Sequence, residues 1–264
     1  MQYKPPARTA PPQGRSFVPF SWKNAHYRVS AGASDDICAA IPGLRKTLED
    51  YIEEHPAFAT SFAPLPFDGK APDMVRRMLS AAVKTGVGPM AAVAGTIAQM
   101  AAEYALARGA SEAIVENGGD IYLHSPGGAV IGLYTGSSTL GGMLALSLPP
   151  SSLPLAVCSS SGTMGHSVSF GTCDLATVFS KDASLADAAA TLAGNLVSAE
   201  EDIAPALERI MSIEGIQGVL IIKNERLGMA GEVPELVKNR ETDLGAKISR
   251  DEKSNFRPRQ GSNL

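Results

Sequence analysis

Three cysteines, Cys38, Cys158 and Cys173, are too few and of the wrong parity for a disulfide framework. There is no Cys-x-x-Cys or His-rich tract of the kind that builds structural zinc. This usage fits a reducing, cytoplasmic compartment. Charge of one sign is also scarce: the formal net charge is −4, and Lys and Arg are scattered, with no basic stripe to hold a nucleic acid. No apolar run is long enough to span a bilayer. The nearest, Val87 to Ala102, is dominated by Ala and interrupted by Gly, Pro, Thr and Gln, so it reads as a buried helix and no membrane partner is expected. The opening stretch MQYKPPARTAPPQGR lacks the apolar centre of a signal peptide and is Pro-rich and polar, as disordered tails are.

What is present suits a globular fold. Hydrophobic residues make up 44% and charged residues 19%, enough to bury a core without staples. The expected organisation is a tail over 1–15, one α+β domain over 16–248 and a flexible tail over 249–264. In that last tail, Asp251 and Glu252 dilute the basic residues between Arg250 and Arg259.

Pattern predicts the elements. Phe17 to Ser30 reads as a strand pair. Pro42 is placed to open a helix carrying Leu44, Leu48, Tyr51 and Ile52 at helical spacing, and Pro72 a second helix that stops at Thr85-Gly86. A small-residue helix runs from about Met90 to Arg108 and ends at Gly109. Short strands follow at 113–115, 121–123, 129–134, 143–148, 155–157 and 176–179, with 159–173 read as a Ser/Gly-rich loop with short strand pieces. Helices at 184–197 and 203–213 precede a hairpin, 218–222 with 227–230. Successive hairpins predict mainly antiparallel sheets with helices packed on them.

Three groups of residues could do chemistry. Asn117, Gly118, Gly119 and Asp120 sit between two strands. Paired glycines bring a ligand to backbone N–H groups, but Asn-Gly is also the strongest hairpin signal. Asp187 and Thr191 are i and i+4 on a helix, so carboxylate and hydroxyl share a face and form part of a Mg²⁺ shell. Against this, Ser184-Leu185-Ala186-Asp187 fits a capping box that would consume Asp187, unless Asp182 or Ser180 caps the helix. The run Ser159-Ser160-Ser161-Gly162-Thr163-Met164-Gly165-His166 offers hydroxyls and amides for a polar ligand, with His166 able to move a proton near neutral pH. A Ser/His hydrolase is one alternative, though there is no Gly-x-Ser-x-Gly elbow. A non-catalytic or thiol-dependent accessory role, in which Cys158 or Cys173 carries sulfur as a thiolate, is another.

The order of the pieces is more specific than any one of them. The stretch Gly86-Val87-Gly88-Pro89-Met90-Ala91-Ala92-Val93-Ala94-Gly95-Thr96 comes first. Glu116-Asn117-Gly118-Gly119-Asp120-Ile121, the His166 loop and Asp187-Ala188-Ala189-Ala190-Thr191 follow. This succession, over roughly residues 75–230, resembles the ApbE-like superfamily, the FAD:protein FMN transferases, and looks most like an uncharacterised bacterial and archaeal branch of it. The resemblance implies a T-fold-like α+β architecture, a flavin nucleotide (FAD) in a cleft and Mg²⁺ at its pyrophosphate. The reaction it implies is transfer of FMN from FAD to a Ser or Thr of an acceptor protein. Asp187 and Thr191 match the family's metal pair, Asn117 to Asp120 its Gly-Gly-Asp segment, and His166 its histidine as the catalytic residue. Ser160, Ser161, Gly162 and Thr163 join the cofactor-binding set. The chain departs from the transferases at Ala92-Val93-Ala94-Gly95-Thr96, where they usually carry a lysine. A homodimer is also expected, since small-residue helices and exposed hairpins suit subunit packing.

Overall fold

The computed structural model describes residues 15–135, 143–162 and 171–239. Of the expected site residues, Thr163 and His166 lie outside these.

The main sheet is antiparallel throughout and has the order β1-β2-β3-β4-β7-β8-β9-β10. Its strands are β1 (Phe17–Trp22), β2 (Ala25–Ser30), β3 (Ala113–Asn117), β4 (Asp120–His124), β7 (Leu155–Ser160), β8 (Leu175–Ser180), β9 (Ile216–Lys223) and β10 (Arg226–Gly231). A second sheet is formed by β5 (Ala129–Gly132), β6 (Leu144–Leu148) and β11 (Glu235–Lys238) in the order β11-β6-β5. The helices are α1 (Ser34–Glu54), the one-turn α2 (Ala57–Thr60), α3 (Asp73–Thr85), α4 (Val93–Ala107), α5 (Ala183–Leu196) and α6 (Ile203–Met211). The α+β class and the antiparallel sheets are as the hairpin pattern predicts.

Alternation along each strand sorts side chains to two cores. Val115, Cys158, Val178 and Ile221 point to one face of the main sheet, where they meet Ile37, Met78, Ile97 and Leu185 of the helices. Ile114, Val157, Phe179 and Leu220 point to the other face and meet Leu146 and Leu148 of the second sheet. The structure is therefore three layers: helices, the main sheet and the small sheet.

The sequence places the start of the first helix at Pro42, but α1 begins at Ser34 and carries Pro42 inside it. Asp35 and Asp36 in its first turn favour that start through the helix dipole, and Ile37, Ile41 and Leu48 form its buried stripe. Pro42 forfeits one backbone bond on a face that is only half-buried. Strand β7 runs on past Val157 through Cys158-Ser159-Ser160, into the Ser/Gly-rich stretch where short strand pieces are expected. Strand β11 had no counterpart in the pattern. The Val87–Ala102 stretch is, as expected, largely buried, and no single helix among the described residues is long and apolar enough to cross a membrane.

Candidate functional site

The β3–β4 connection is a two-residue turn. Gly118 and Gly119 have φ of +64° and +106°, the pair of positive values that a tight hairpin of this hand requires. The glycines are thus set by the backbone, and a Cβ at either would meet nothing within 4 Å, so the outside of the turn is open. The residues on either side of the turn look inward to the helices. Asn117 Nδ2 donates to the Ala94 carbonyl at 3.1 Å, and Asp120 Oδ1 accepts from the Ser159 N–H at 3.2 Å.

Helix α5 has its own cap. Asp182 Oδ1 accepts from the N–H groups of Ser184 (2.9 Å) and Leu185 (3.2 Å), while Gln99 Oε1 accepts from Ala183 N–H at 2.7 Å. The Ser184 hydroxyl is held by the Thr96 hydroxyl at 2.7 Å instead of capping. The capping-box alternative for Asp187 is therefore overturned, and Asp182 is the cap.

Asp187 turns to a different helix. Its Oδ2 accepts from Gly95 N–H at 2.8 Å, and its carboxylate also takes the Ala94 N–H. Both donors belong to the first turn of α4, which has no side-chain cap of its own. Gly95 permits this approach: a Cβ there would lie 2.4 Å from the Ala183 carbonyl and 2.9 Å from Asp187 Cβ. Ala94 is gripped from both sides, its N–H by Asp187 and its carbonyl by Asn117.

Asp120 and Asp187 are 7% and 8% exposed, and neither has a Lys, Arg or His partner among the described residues. Burial pushes both carboxyls up, Asp187 to about 7, against the lowering effect of the Gly95 and Ala94 N–H groups. Asp120 is held well above the usual carboxylate range by burial and then by the charge of Asp187, with Cys158 and Ser159 hydrogen bonds pulling the other way. The two groups interact, so any proton between them belongs to the pair.

Strand β7 supplies the third side. The pairing of Ile121 with Val157 and Tyr122 with Ala156 sets Cys158 opposite Asp120. Ser160 follows on the same, helix-facing side; it is 8% exposed and its hydroxyl has no hydrogen-bond partner among the described residues. Ser159 faces the other way and bonds Thr177 at 2.9 Å. Ser161 is buried. Gly162 donates to the Cys173 carbonyl at 2.8 Å and sits so close to Gly171 that a Cβ would lie 2.3 Å from the Gly171 carbonyl. Gly171 in turn rests on the Gly194 carbonyl at the end of α5. Thr191 is half-buried, one turn beyond Asp187.

The structure thus brings together Asn117, Asp120 and Asp187, sets Ser160 on the same face of the main sheet two residues beyond Cys158, and places Gly162 and Thr191 towards the end of α5. The parts that sequence reasoning missed are Gln99 and the Asp187–α4 capping bond. Both span long sequence separations, and the small residues at 94–98 were their only local sign.

The cysteines do not fit a thiolate role. Cys158 and Cys173 are fully buried, and burial pushes both thiols up, Cys173 to about 12. This removes the basis for the sulfur-carrying alternative. Among the described residues no three His, Cys, Asp or Glu side chains come together as a metal cage.

A family profile described as "AbpE bacteria" matches residues 27–227. A UPF0280 protein of Methanosarcina acetivorans is 44% identical over 200 residues, covering 75% of this chain and 79% of its own. A UPF0280 protein of Archaeoglobus fulgidus is 42% identical over 201 residues, covering 75% and 82%. The flavin transferase ApbE of Vibrio cholerae superposes with a TM-score of 0.53 at 14% identity, over 82% of this chain and 96% of that one. An ApbE protein of Thermotoga maritima superposes with a TM-score of 0.50 at 15% identity, over 89% and 99%. The fold, the order of the Gly-Gly-Asp turn and the Asp187 helix, and these matches agree: the chain belongs to the AbpE bacteria family, an ApbE-like branch.

Proposed function

We propose that this protein binds a flavin nucleotide or a similar phosphorylated ligand with Mg²⁺, and transfers FMN from FAD to a Ser or Thr of an acceptor protein. The observation that carries this reading is the Asp120–Asp187 pair. Two buried carboxylates with no basic side chain on them among the described residues are expensive as anions, and a bound cation removes that cost. The donors on hand are carboxylate and hydroxyl oxygens, the hard set that suits Mg²⁺. Asp187 and Thr191 are the residues that would hold it. When bound, Mg²⁺ would neutralise a pyrophosphate and stabilise the leaving phosphate.

The chain's own groups have distinct tasks. The α4 amides fix the Asp187 carboxylate before any ligand arrives, so its orientation needs no rearrangement. The open Gly118-Gly119 turn leaves room for a ligand beside the backbone. His166 is the base for the acceptor hydroxyl in this reading. The same proposal includes a cytoplasmic, homodimeric protein that folds as one domain over 16–248.

Titration of the protein with FAD, followed by flavin fluorescence with and without Mg²⁺, tests it. Wild type should bind FAD only with the cation present. Asp187→Asn keeps an acceptor for the α4 amides but loses the charge, and should lose Mg²⁺-dependent binding. Unchanged FAD affinity in that variant sinks the proposed role of Asp187.

A further inference from the structure

Away from the carboxylate pair, a groove opens between the end of α1, α2 and α3. Its volume is about 310 Å³, and its walls include Tyr51, His55, Phe58, Leu65, Pro66 and Asp68. That is room for one bulky organic group. Helical spacing builds one wall: Tyr51 and His55 are i and i+4 on α1, and their rings stack at 4.2 Å and 16°. The Phe58 ring meets Tyr51 edge-on at 5.2 Å. Pro56 ends α1, and Pro64 and Pro66 fix the facing segment, so the groove is formed before anything enters it. The apolar surface continues past it, because Phe67, between Pro66 and Asp68, is 57% exposed.

The rim of this groove is acidic. Asp68 Oδ1 accepts from Lys70 N–H at 2.9 Å, and Oδ2 from the Tyr51 hydroxyl at a long 3.5 Å. No Lys or Arg pairs with Asp68 among the described residues. Along α1, Lys23 pairs with Glu49 and Lys46 with Asp50, which leaves Glu53 and Glu54 with no ion pair among the described residues. Both are exposed in a last helical turn that carries no basic residue, at the negative end of the helix dipole. An apolar groove with a carboxylate in its wall and two more on the helix end beside it suits a bulky apolar side chain flanked by Lys or Arg.

The groove lies at the same end of the helix layer as the carboxylates. Arg108, at the end of α4, pairs with Asp36 at the start of α1, so the two helices run in opposite directions. The end of α1 therefore lies towards the start of α4, where Gly95 holds Asp187. The chain leaving α2 closes the same corner. The Ser61 carbonyl rests on Gly88, which has no room for a Cβ and opens the turn into α4. We infer that this groove docks a segment of the acceptor protein, seating one bulky apolar side chain between Tyr51 and Leu65 and a neighbouring Lys or Arg on Asp68, Glu53 and Glu54. The inference rests on the proposal that a protein brings a hydroxyl to this end of the molecule. It adds where that protein is held, and by what chemistry. The groove is beside the flavin site and not part of it, so the segment and FAD bind together.

Three end-blocked heptapeptides are the probes: Ser-Gly-Arg-Phe-Arg-Gly-Ser, Ser-Gly-Glu-Phe-Glu-Gly-Ser and Ser-Gly-Arg-Gly-Arg-Gly-Ser. Each is titrated into the isotope-labelled full chain without FAD or Mg²⁺, with backbone amide shifts as the readout. The Arg-Phe-Arg peptide should shift Phe58, Leu65 and Asp68 and bind roughly tenfold more tightly than the other two, with a preference that shrinks as salt is added. Ala57→Trp, at an exposed groove position, fills the space. It should abolish the shifts while circular dichroism and melting temperature stay at wild type. Asp68→Asn keeps the acceptor for Lys70 N–H and should weaken the Arg-Phe-Arg peptide severalfold while leaving the Glu-Phe-Glu peptide no weaker. Equal affinity for the three peptides, no binding, or undiminished shifts in Ala57→Trp overturns the inference. So does displacement of Mg²⁺-bound FAD by the peptide, or phenethylamine binding as tightly as the peptide does, which would mark a small-molecule pocket. Intact Mg²⁺-dependent FAD binding beside a failed peptide test sinks the groove and leaves the proposed function standing. The expected peptide pattern in a protein that binds no FAD upholds the groove and sinks that function instead.

Discussion

The Asp187 carboxylate closes the first turn of a helix that lies 92 residues earlier in the chain, accepting the Gly95 N–H at 2.8 Å. One side chain thereby fixes the crossing of α4 and α5 and sets the position of the carboxylate the site depends on.

That contact makes Gly95 irreplaceable. A Cβ there would fall 2.4 Å from the Ala183 carbonyl, a backbone atom that cannot swing away. Gly95→Ala should destabilise the fold by about 1–3 kcal/mol through overpacking, visible as a lower denaturant midpoint. Gly43→Ala is the control. It lies within α1 with open space around it and should be neutral or stabilising by about 0.5–1 kcal/mol. Equal effects in the two variants would show that the α4–α5 contact is not as tight as described.

Stability should depend on pH in an unusual direction. Asp187 is raised from 3.8 to about 7 in the folded state, so folding favours its protonated form. A carboxyl raised on folding contributes most below its unfolded pKa, and that contribution drains away as pH rises through the folded value. Without divalent cations, stability should fall between about pH 4 and pH 7, by on the order of 4 kcal/mol if Asp187 dominated alone, and the melting temperature should fall with it. Asp120 is raised too and pushes the same way. Adding Mg²⁺ at pH 8 should reverse the loss. A melting temperature that climbs steadily from pH 5 to pH 8 in chelator would contradict this.

How much of this was legible in the sequence depends on the range of the interaction. Helices α3, α4 and α5 follow from local periodicity and from turn residues such as Gly86 and Gly109. The antiparallel sheet follows from hairpins whose turns are encoded in two or three residues. Asp120, Ser160 and Asp187 could each be named because residue type and spacing advertise them. That they lie on one side of the main sheet could only be assumed, since it needs the β4–β7 register and the α5 path along β7. The capping-box pattern at Ser184 misled for a physical reason. Asp182 stands two residues before Ser184 and takes the Ser184 N–H that the box would give to Asp187, so a local rule had two solutions, and the contact with α4 decided between them.

Asp182 and Asp187 should separate cleanly by mutation. Asp182→Ala removes acceptors from two α5 amides and should cost about 1 kcal/mol of stability. Because Asp182 is exposed and away from the carboxylate pair, Mg²⁺-dependent FAD binding should stay at the wild-type value. A variant that loses cation affinity while keeping its stability would mean that the two roles are assigned the wrong way round.

The thiols give a chemical check on the core. Cys38 is half-exposed, whereas Cys158 and Cys173 are fully buried with raised pKa values. Iodoacetamide at pH 8 should label Cys38 first, and the other two only after denaturant is added, as read by peptide mass spectrometry. Rapid native labelling of Cys158 would reopen a thiol role for this site.

The meeting of Gly162, Gly171 and Gly194 ties β7 to the end of α5 through backbone alone. A Cβ at Gly162 would lie 2.3 Å from the Gly171 carbonyl, and one at Gly171 would lie 2.1 Å from the Gly194 carbonyl. Any side chain larger than hydrogen at either position must push strand and helix apart, and with them the groups that β7 and α5 carry. The tolerance of the site to drift is therefore set by residues that have no chemistry of their own.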